Sequence, residues 1–154
     1  MKKFELTSET KINIFGKKLF RIKALISFGD VKAGETGGWV EKEENVNQSG
    51  NAWVYGDAKV FGNAMVFGDA KVSGDAWVFG DADYATIHGF GTQFRTTTFF
   101  RCKDKKVRVA CGCFFGTIPE FREQVKDTRK GKIAEEYLVI SDLMEKHFEV
   151  KSNE

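Results

Sequence analysis

A strict six-residue repeat constrains this sequence more than any other feature. Glycine recurs at positions 50, 56, 62, 68, 74 and 80, followed each time by Asn or Asp and then by Ala. Valine fills the fifth place of five successive hexads, and Tyr84 fills it in the sixth. A helix repeats about every 3.6 residues and a strand about every 2, so neither element alone explains this period. The repeat therefore predicts a chain that turns a corner after every short strand.

Each hexad has the composition of one strand and one corner. The Val and the Ala two residues before it point inward, and Gly with Asn or Asp tolerates the left-handed backbone angles of a corner. Three hexads then complete a coil of 18 residues, and stacked coils pair at about 4.8 Å. The predicted fold class is mainly β. The pattern resembles the left-handed parallel β-helix, or hexapeptide solenoid, and this resemblance alone implies the handedness.

Large aromatic side chains point outward from the predicted coil. Because an exposed aromatic row requires cover, we expect a subunit interface or a C-terminal helix to pack on it. A ligand groove lined by aromatics is a compatible alternative. The predicted columns are Trp53 over Lys71, Lys59 over Trp77, Met65 over Asp83, and Phe61 over Phe79.

The segments on both sides of the repeat contain patterns typical of β-hairpins and helices. Residues 11–26 read as a β-hairpin around Gly16, and residues 103–106 are the turn of a second hairpin. Thr117 and Glu120 form a capping box that starts a helix over 118–128, and a second helix follows over roughly 132–148. The predicted divisions are an N-terminal hairpin cap (1–27), the hexapeptide solenoid (28–88), and a C-terminal hairpin with two helices (89–154).

Four motifs together carry a family resemblance. They are Gly37-Gly38-Trp39-Val40-Glu41, Gly50-Asn51-Ala52-Trp53-Val54, Thr96-Thr97 and Cys111-Gly112-Cys113-Phe114. Over residues 20–148 the chain resembles small hexapeptide-repeat proteins encoded by phages and prophages. The resemblance implies a phage context and a homotrimer, and it assigns no reaction.

The cysteines and the hydropathy favour a cytoplasmic protein. The three cysteines form no C-x-x-C pair, so reduced thiols are expected. Cys111 and Cys113 are two residues apart, which predicts a buried structural pair on one strand face. No apolar run approaches the roughly 20 residues of a membrane helix, and no signal peptide is recognisable.

Histidine is the residue that would support catalysis in such a fold. Hexapeptide solenoids are best known as acyltransferases, in which a His acts as general base. His88 is the credible candidate, because His147 falls at the end of the last predicted helix. The repeat lacks the long inserted loop that usually carries that chemistry. Zinc catalysis would need three His ligands, so no metal or other cofactor is expected.

The charges separate along the chain although the net charge is only +2. Residues 28–50 carry a balance of −3 (two Lys against five acids), and residues 94–108 carry +5 (six Lys or Arg against one acid). Arginine beside threonine suits phosphate, and aromatic faces suit a stacked base. Long nucleic acid is disfavoured because no extended basic stripe exists. The candidate ligand-binding residues are Arg95, Thr96, Thr97, Thr98, Arg101, Arg108, Tyr84, His88, Phe94 and Trp77.

These features favour a non-enzymatic binding protein. The leading hypothesis is a homotrimer that holds a small anionic, nucleotide-like ligand between its subunits. The phage context suggests that it sequesters a nucleotide signal of host antiviral defence in the host cytoplasm. Two alternatives stay open: an acyltransferase-like enzyme that uses His88, and a structural or protein-binding module that acts on a host protein.

Overall fold

The fold combines short parallel strands with longer antiparallel ones. A computed structural model describes residues 2–80 and 83–150. The strands are β1 (Phe4–Ile12), β2 (Lys18–Ala24), β3 (Thr36–Val40), β4 (Trp53–Val54), β5 (Lys59–Val60), β6 (Lys71–Val72), β7 (Trp77–Val78), β8 (Tyr84–Phe90), β9 (Arg95–Arg101), β10 (Val107–Cys111) and β11 (Phe114–Thr117). A 3₁₀ turn covers Glu43–Asn45, and the helices are α1 (Ile118–Thr128) and α2 (Gly131–His147).

Three sheets contain these strands. The first has the order β1-β2-β3-β5-β7, antiparallel from β1 to β3 and parallel from β3 to β7. The second is the parallel pair β4-β6, and the third is the antiparallel sheet β11-β10-β9-β8. Within the described residues, the long strands are therefore the antiparallel ones.

The predicted fold class, a left-handed parallel β-helix, is wrong. The strands divide among three sheets, two of which contain antiparallel pairs, and two helices pack beside the third. The physical reason is strand length. Strands β4 to β7 have only two residues each, whereas the flanking strands have four to nine and set the architecture. The mainly β content agrees with the prediction.

The hexad region, residues 50–80, has the predicted interior. Its five valines are fully buried, and so are the alanines two positions before them. Trp53 pairs with Lys71 and Lys59 with Trp77, as an 18-residue spacing predicts. Asp81 and Ala82 of the sixth hexad lie outside the described residues. Asp83, expected to point outward beside Met65, is instead buried because its Oδ2 accepts the Phe79 backbone N–H at 3.2 Å.

Two of the outward aromatics, Trp53 and Phe61, are covered by the chain's own N-terminal part, whereas Phe67 and Phe79 stay exposed. Trp53 is buried beneath Phe4 and Phe28, with ring centroids 5.7 Å and 5.3 Å away. Phe61 is buried between Phe79 and Phe15 of the β1–β2 turn. The hairpin, rather than a C-terminal helix, supplies this cover.

The C-terminal sheet and the two helices form a second core. Phe99, Val109 and Phe121 are buried in it, together with Tyr137, Ile140 and Met144 of α2 and with Phe148 directly after that helix. At the start of α1, Thr117 Oγ1 accepts the Glu120 N–H at 3.2 Å and Glu120 Oε1 accepts the Thr117 N–H at 2.9 Å. Within the described chain, neither helix is long and apolar enough to cross a membrane. The division at residues 27/28 and 88/89 stays a prediction.

The expected buried pair of Cys111 and Cys113 does not form. Cys111 is buried at the end of β10, whereas Cys113 is exposed. Gly112 between them has a φ of +60° and turns the chain into β11. The prediction was wrong because it placed one continuous strand across this motif, whereas the glycine in its middle makes a turn possible.

Candidate ligand-binding cleft

A cleft of about 420 Å³ opens where the hexad region meets the C-terminal sheet. One side comes from the first half of the chain, and the other comes from strands β8 and β9 with the β8–β9 and β10–β11 turns. The lining residues are Gly29, Asp30, Asn51, Asp69 and Lys71 on the first side, and His88, Gln93, Arg95, Thr96 and Gly112 on the second.

The repeat itself places two corner residues side by side. Asn51 and Asp69 hold the same position in hexads three apart, so their corners stack. The Asn51 backbone N–H donates to the Gly68 carbonyl at 3.0 Å, and Asn51 Nδ2 donates to Asp69 Oδ1 at 3.3 Å. The polar corners thus form a continuous rim beside the cleft.

One hydrogen bond fastens the hexad region to the C-terminal sheet beside the cleft. The backbone N–H of Lys71 in β6 donates to the buried Oγ1 of Thr98 in β9 at 3.1 Å. Lys71 and its neighbours are thereby held against the strand that carries Arg95 and Thr96.

His88 and Thr96 form a polar pair across strands β8 and β9. They are direct partners in the antiparallel register, and His88 Nδ1 lies 2.8 Å from Thr96 Oγ1. In the described part of the chain, His88 Nε2 has no hydrogen-bond partner, which leaves it available to a ligand.

The Arg95 guanidinium is held in place without being neutralised. Its Nη2 donates to Gln93 Oε1, and the guanidinium fills the space where a Cβ on Gly112 would lie. Among residues 2–80 and 83–150, no carboxylate forms an ion pair with it. Its positive charge is therefore uncompensated at the edge of the cleft.

The second cation of the cleft, Lys71, is already neutralised. Its Nζ lies 3.0 Å from Asp30 Oδ2, and Asp30 Oδ1 accepts the Tyr55 hydroxyl at 2.7 Å. The Tyr55 hydrogen bond, with help from Lys71, lowers the pKa of Asp30. Burial, followed by the hydrogen bond to Asp30, raises the pKa of Tyr55. Asp30 is thus a stable anion matched to Lys71.

The structure brings three of the predicted residues, His88, Arg95 and Thr96, into the cleft. It does not bring Arg101 or Arg108 there. Arg101 Nε pairs with Asp83 at 3.2 Å, and Arg108 Nη2 pairs with Asp104 at 2.7 Å. Each guanidinium group therefore already has a carboxylate partner, because the fold places an acid of the same chain beside it.

The remaining predicted residues serve the fold at other places. Thr97 Oγ1 donates to Cys111 Sγ at 3.2 Å, and the Tyr84 hydroxyl donates to the Met65 carbonyl. Trp77 packs on Phe15 with ring centroids 6.1 Å apart, and Phe94 is an exposed residue of the β8–β9 turn with a φ of +51°. Thr98 is the buried acceptor of the Lys71 N–H.

Sequence reasoning missed seven of the ten residues that line the cleft. The spacing of 18 residues could have joined Asn51 to Asp69, since both follow a corner glycine. Lys71 stood in an outward column, but its partner Asp30 comes from an irregular loop that carries no periodic signal. Gln93 and Gly112 belong to two turns whose meeting depends on the β8–β11 sheet.

Comparison with known proteins gives one partial match. No family model matches this chain. Over 65 residues it is 37% identical to the uncharacterized acetyltransferase YdcK of Escherichia coli (strain K12), and the match covers 36% of this chain. The chain spans only 19% of that relative's length. The match is compatible with a hexapeptide-repeat resemblance and lends no support to a phage origin.

Proposed function

We propose that the cleft binds a small anionic ligand, such as the phosphate group of a nucleotide. The observation that carries the proposal is the uncompensated Arg95 guanidinium, placed at the cleft with Thr96 and His88. A guanidinium offers two parallel donors to a phosphate, and a neighbouring hydroxyl or imidazole adds a short third contact.

The support for Arg95 favours binding to a preformed site. Gln93 accepts a hydrogen bond from one side of the guanidinium, and Gly112 leaves space on the other. Little side-chain freedom is then lost when the anion arrives, so more of the interaction energy appears as affinity.

The finer parts of the sequence hypothesis stay predictions. They are the homotrimer with a ligand between subunits, a nucleotide signal of host antiviral defence as that ligand, and a cytoplasmic location. The contacts proposed above come from one chain. A protein-binding role toward a host protein also stays a prediction.

Isothermal titration with AMP at low ionic strength tests the proposal. We expect Arg95→Gln to weaken AMP binding at least about tenfold, because a charge-assisted hydrogen bond is lost. Lys106→Gln removes an exposed charge from the β9–β10 turn and is the matched control; it should leave the affinity unchanged. Equal affinity in wild type and Arg95→Gln would contradict the proposal.

Acyl transfer is the second candidate function. Two observations favour it: the acetyltransferase named in the partial match, and the position of His88 with its Nδ1 fixed by Thr96. Nε2 would then take the proton from an acceptor hydroxyl or amine as that group attacks the acyl carbon of a thioester. The C–S bond then breaks, and the imidazolium returns the proton to the departing thiolate.

An assay of thiol release from acetyl-CoA separates the two functions. If acyl transfer is the function, thiol release is detectable in wild type and lost in His88→Ala, while AMP does not bind. If anion binding is the function, wild type binds AMP without releasing thiol, and His88→Ala weakens AMP binding less than Arg95→Gln does, because the guanidinium remains. Thiol release that is absent from wild type, or unchanged in His88→Ala, would contradict the second candidate.

A further inference from the structure

The cleft contains an unpaired acid as well as an unpaired base. Asp69 is exposed at the cleft, and its Oδ1 accepts one hydrogen bond from Asn51 Nδ2. Within residues 2–80 and 83–150, Asp69 forms no ion pair, whereas the other cleft acid, Asp30, is matched to Lys71. Once that pair is set aside, the hexad side contributes the negative charge of Asp69, and the sheet side contributes the positive charge of Arg95.

This separation of charge restricts which anions the cleft can accept. A compact polyanion would satisfy Arg95, but the Asp69 carboxylate would repel its remaining charge. A molecule with one phosphate and a neutral, hydrogen-bond-donating end could satisfy both residues. The cleft volume of about 420 Å³ falls within the range of small-molecule sites.

We propose that Asp69 is a specificity-determining residue that selects phosphate compounds bearing a hydroxyl or amino donor. Nucleoside monophosphates and sugar phosphates carry such a donor on a neutral group beside the phosphate, whereas bare phosphate and polyphosphates have no neutral group. Arg95 binds the phosphate, and Asp69 with Asn51 accepts and orients the donor end. This inference rests on the proposed function of the cleft.

The repeat provides well-matched variants for the test. Asparagine occupies the corner position of Asp69 in two other hexads, at Asn51 and Asn63. Asp69→Asn is therefore compatible with the corner and removes only the charge. Asp75→Asn is the control, because Asp75 is an exposed acid at the same hexad position outside the cleft lining.

Affinities are measured for AMP, ribose 5-phosphate, inorganic phosphate and tripolyphosphate at one fixed ionic strength. We expect Asp69→Asn to weaken AMP binding about tenfold, since a charge-assisted hydrogen bond is lost. The same variant should not weaken inorganic phosphate and should strengthen tripolyphosphate. Asp75→Asn should alter none of these affinities, and thermal unfolding should confirm that both variants fold. A parallel loss for ribose 5-phosphate assigns the donor to the sugar, and a loss for AMP alone assigns it to the base.

Two different failures can be told apart. If Asp69→Asn leaves AMP unchanged, or strengthens AMP and tripolyphosphate alike, Asp69 does not select the donor. The proposed function would still hold if Arg95→Gln weakens AMP binding. If Arg95→Gln changes no affinity, the proposed function itself fails.

Discussion

The hexad region and the C-terminal sheet pair their backbone polar groups in different ways. In the hexad region, two-residue strands pair with copies of themselves 18 residues away, and each corner repeats the same Gly-Asn/Asp chemistry. In the C-terminal sheet, strands β8 to β11 pair with their sequence neighbours through turns that all differ.

This difference explains which parts of the molecule carry distinct side chains at their surface. A repeat places the same residue types at every corner, so its polar surface is nearly uniform along the stack. The turns of the antiparallel sheet each carry distinct side chains, among them Gln93 and Arg95. The cleft forms where the repeated polar corners of the hexad region meet the β8–β9 turn. The charges of Asp69 and Arg95 lie on opposite sides of it.

The largest expected effect comes from breaking the C-terminal core. Phe121 contacts Phe99, Phe114 and Tyr137, with ring centroids 5.4 to 6.2 Å apart. We expect Phe121→Ala to lower the free energy of unfolding by about 4 kcal/mol, because a buried ring leaves a cavity. Urea unfolding followed by circular dichroism measures this. Phe94→Ala, which removes an exposed ring, is the control, and equal losses would contradict the assignment of this core.

The second prediction concerns two corner glycines of the hexad region. Gly56 and Gly62 have similar φ angles of +59° and +64°, but only at Gly62 would a Cβ approach a backbone atom, the Phe79 carbonyl, at 2.5 Å. We expect Gly62→Ala to cost about 3 kcal/mol, and Gly56→Ala about 1 kcal/mol for the left-handed backbone alone. Unfolding midpoints of the two variants measure the difference, and equal midpoints would show that the stacked corners are not close-packed.

A smaller effect is expected at the join between the two regions. Asp83 is buried in the last hexad, and Arg101 of β9 pairs with it while also donating to the Phe148 carbonyl at 3.3 Å. We expect Arg101→Gln to cost about 2 kcal/mol, because it leaves a buried carboxylate without its cation. Arg108→Gln, whose partner Asp104 is much more exposed, should cost under about 1 kcal/mol. Thermal unfolding that ranks the two variants in reverse order would contradict this role.

The fourth prediction is a pH dependence at the N-terminal end of the hexad region. Burial lowers the pKa of Lys3 to about 8, although its Nζ donates to the Ala52 carbonyl at 2.8 Å. Between pH 8 and 10.5 the unfolded chain binds more protons at this lysine than the folded one, so stability rises with pH.

Lys3→Met should remove that rise. Urea midpoints at pH 7, 8.5 and 10 measure it, and Lys2→Met, at a largely exposed lysine, is the control. Parallel pH curves for wild type and Lys3→Met would contradict the assignment.

The sequence predicts the hexad interior well because its physics is local and periodic. Each Val and Ala is inward for the same reason, and the 18-residue spacing correctly pairs Trp53 with Lys71. It does not predict the sheet order. The strength of the repeat suggested one continuous coil, whereas two-residue strands leave the architecture to the longer flanking strands.

The candidate site is predictable only in part for a related reason. Arginine near threonine indicated Arg95 and Thr96, which line the cleft, but it also indicated Arg101, which pairs with Asp83. Whether an arginine is free depends on which acids the fold places beside it. That information lies in long-range contacts and not in the local sequence.

An NMR titration of isotope-labelled protein with AMP shows directly whether the cleft binds this ligand. We expect saturable shifts of the Arg95 side-chain Nε–H and of the Thr96 and Gly112 backbone amides, since these groups line the cleft. Shifts confined to residues 103–106 of the exposed β9–β10 turn, or no saturable shifts at all, would contradict it.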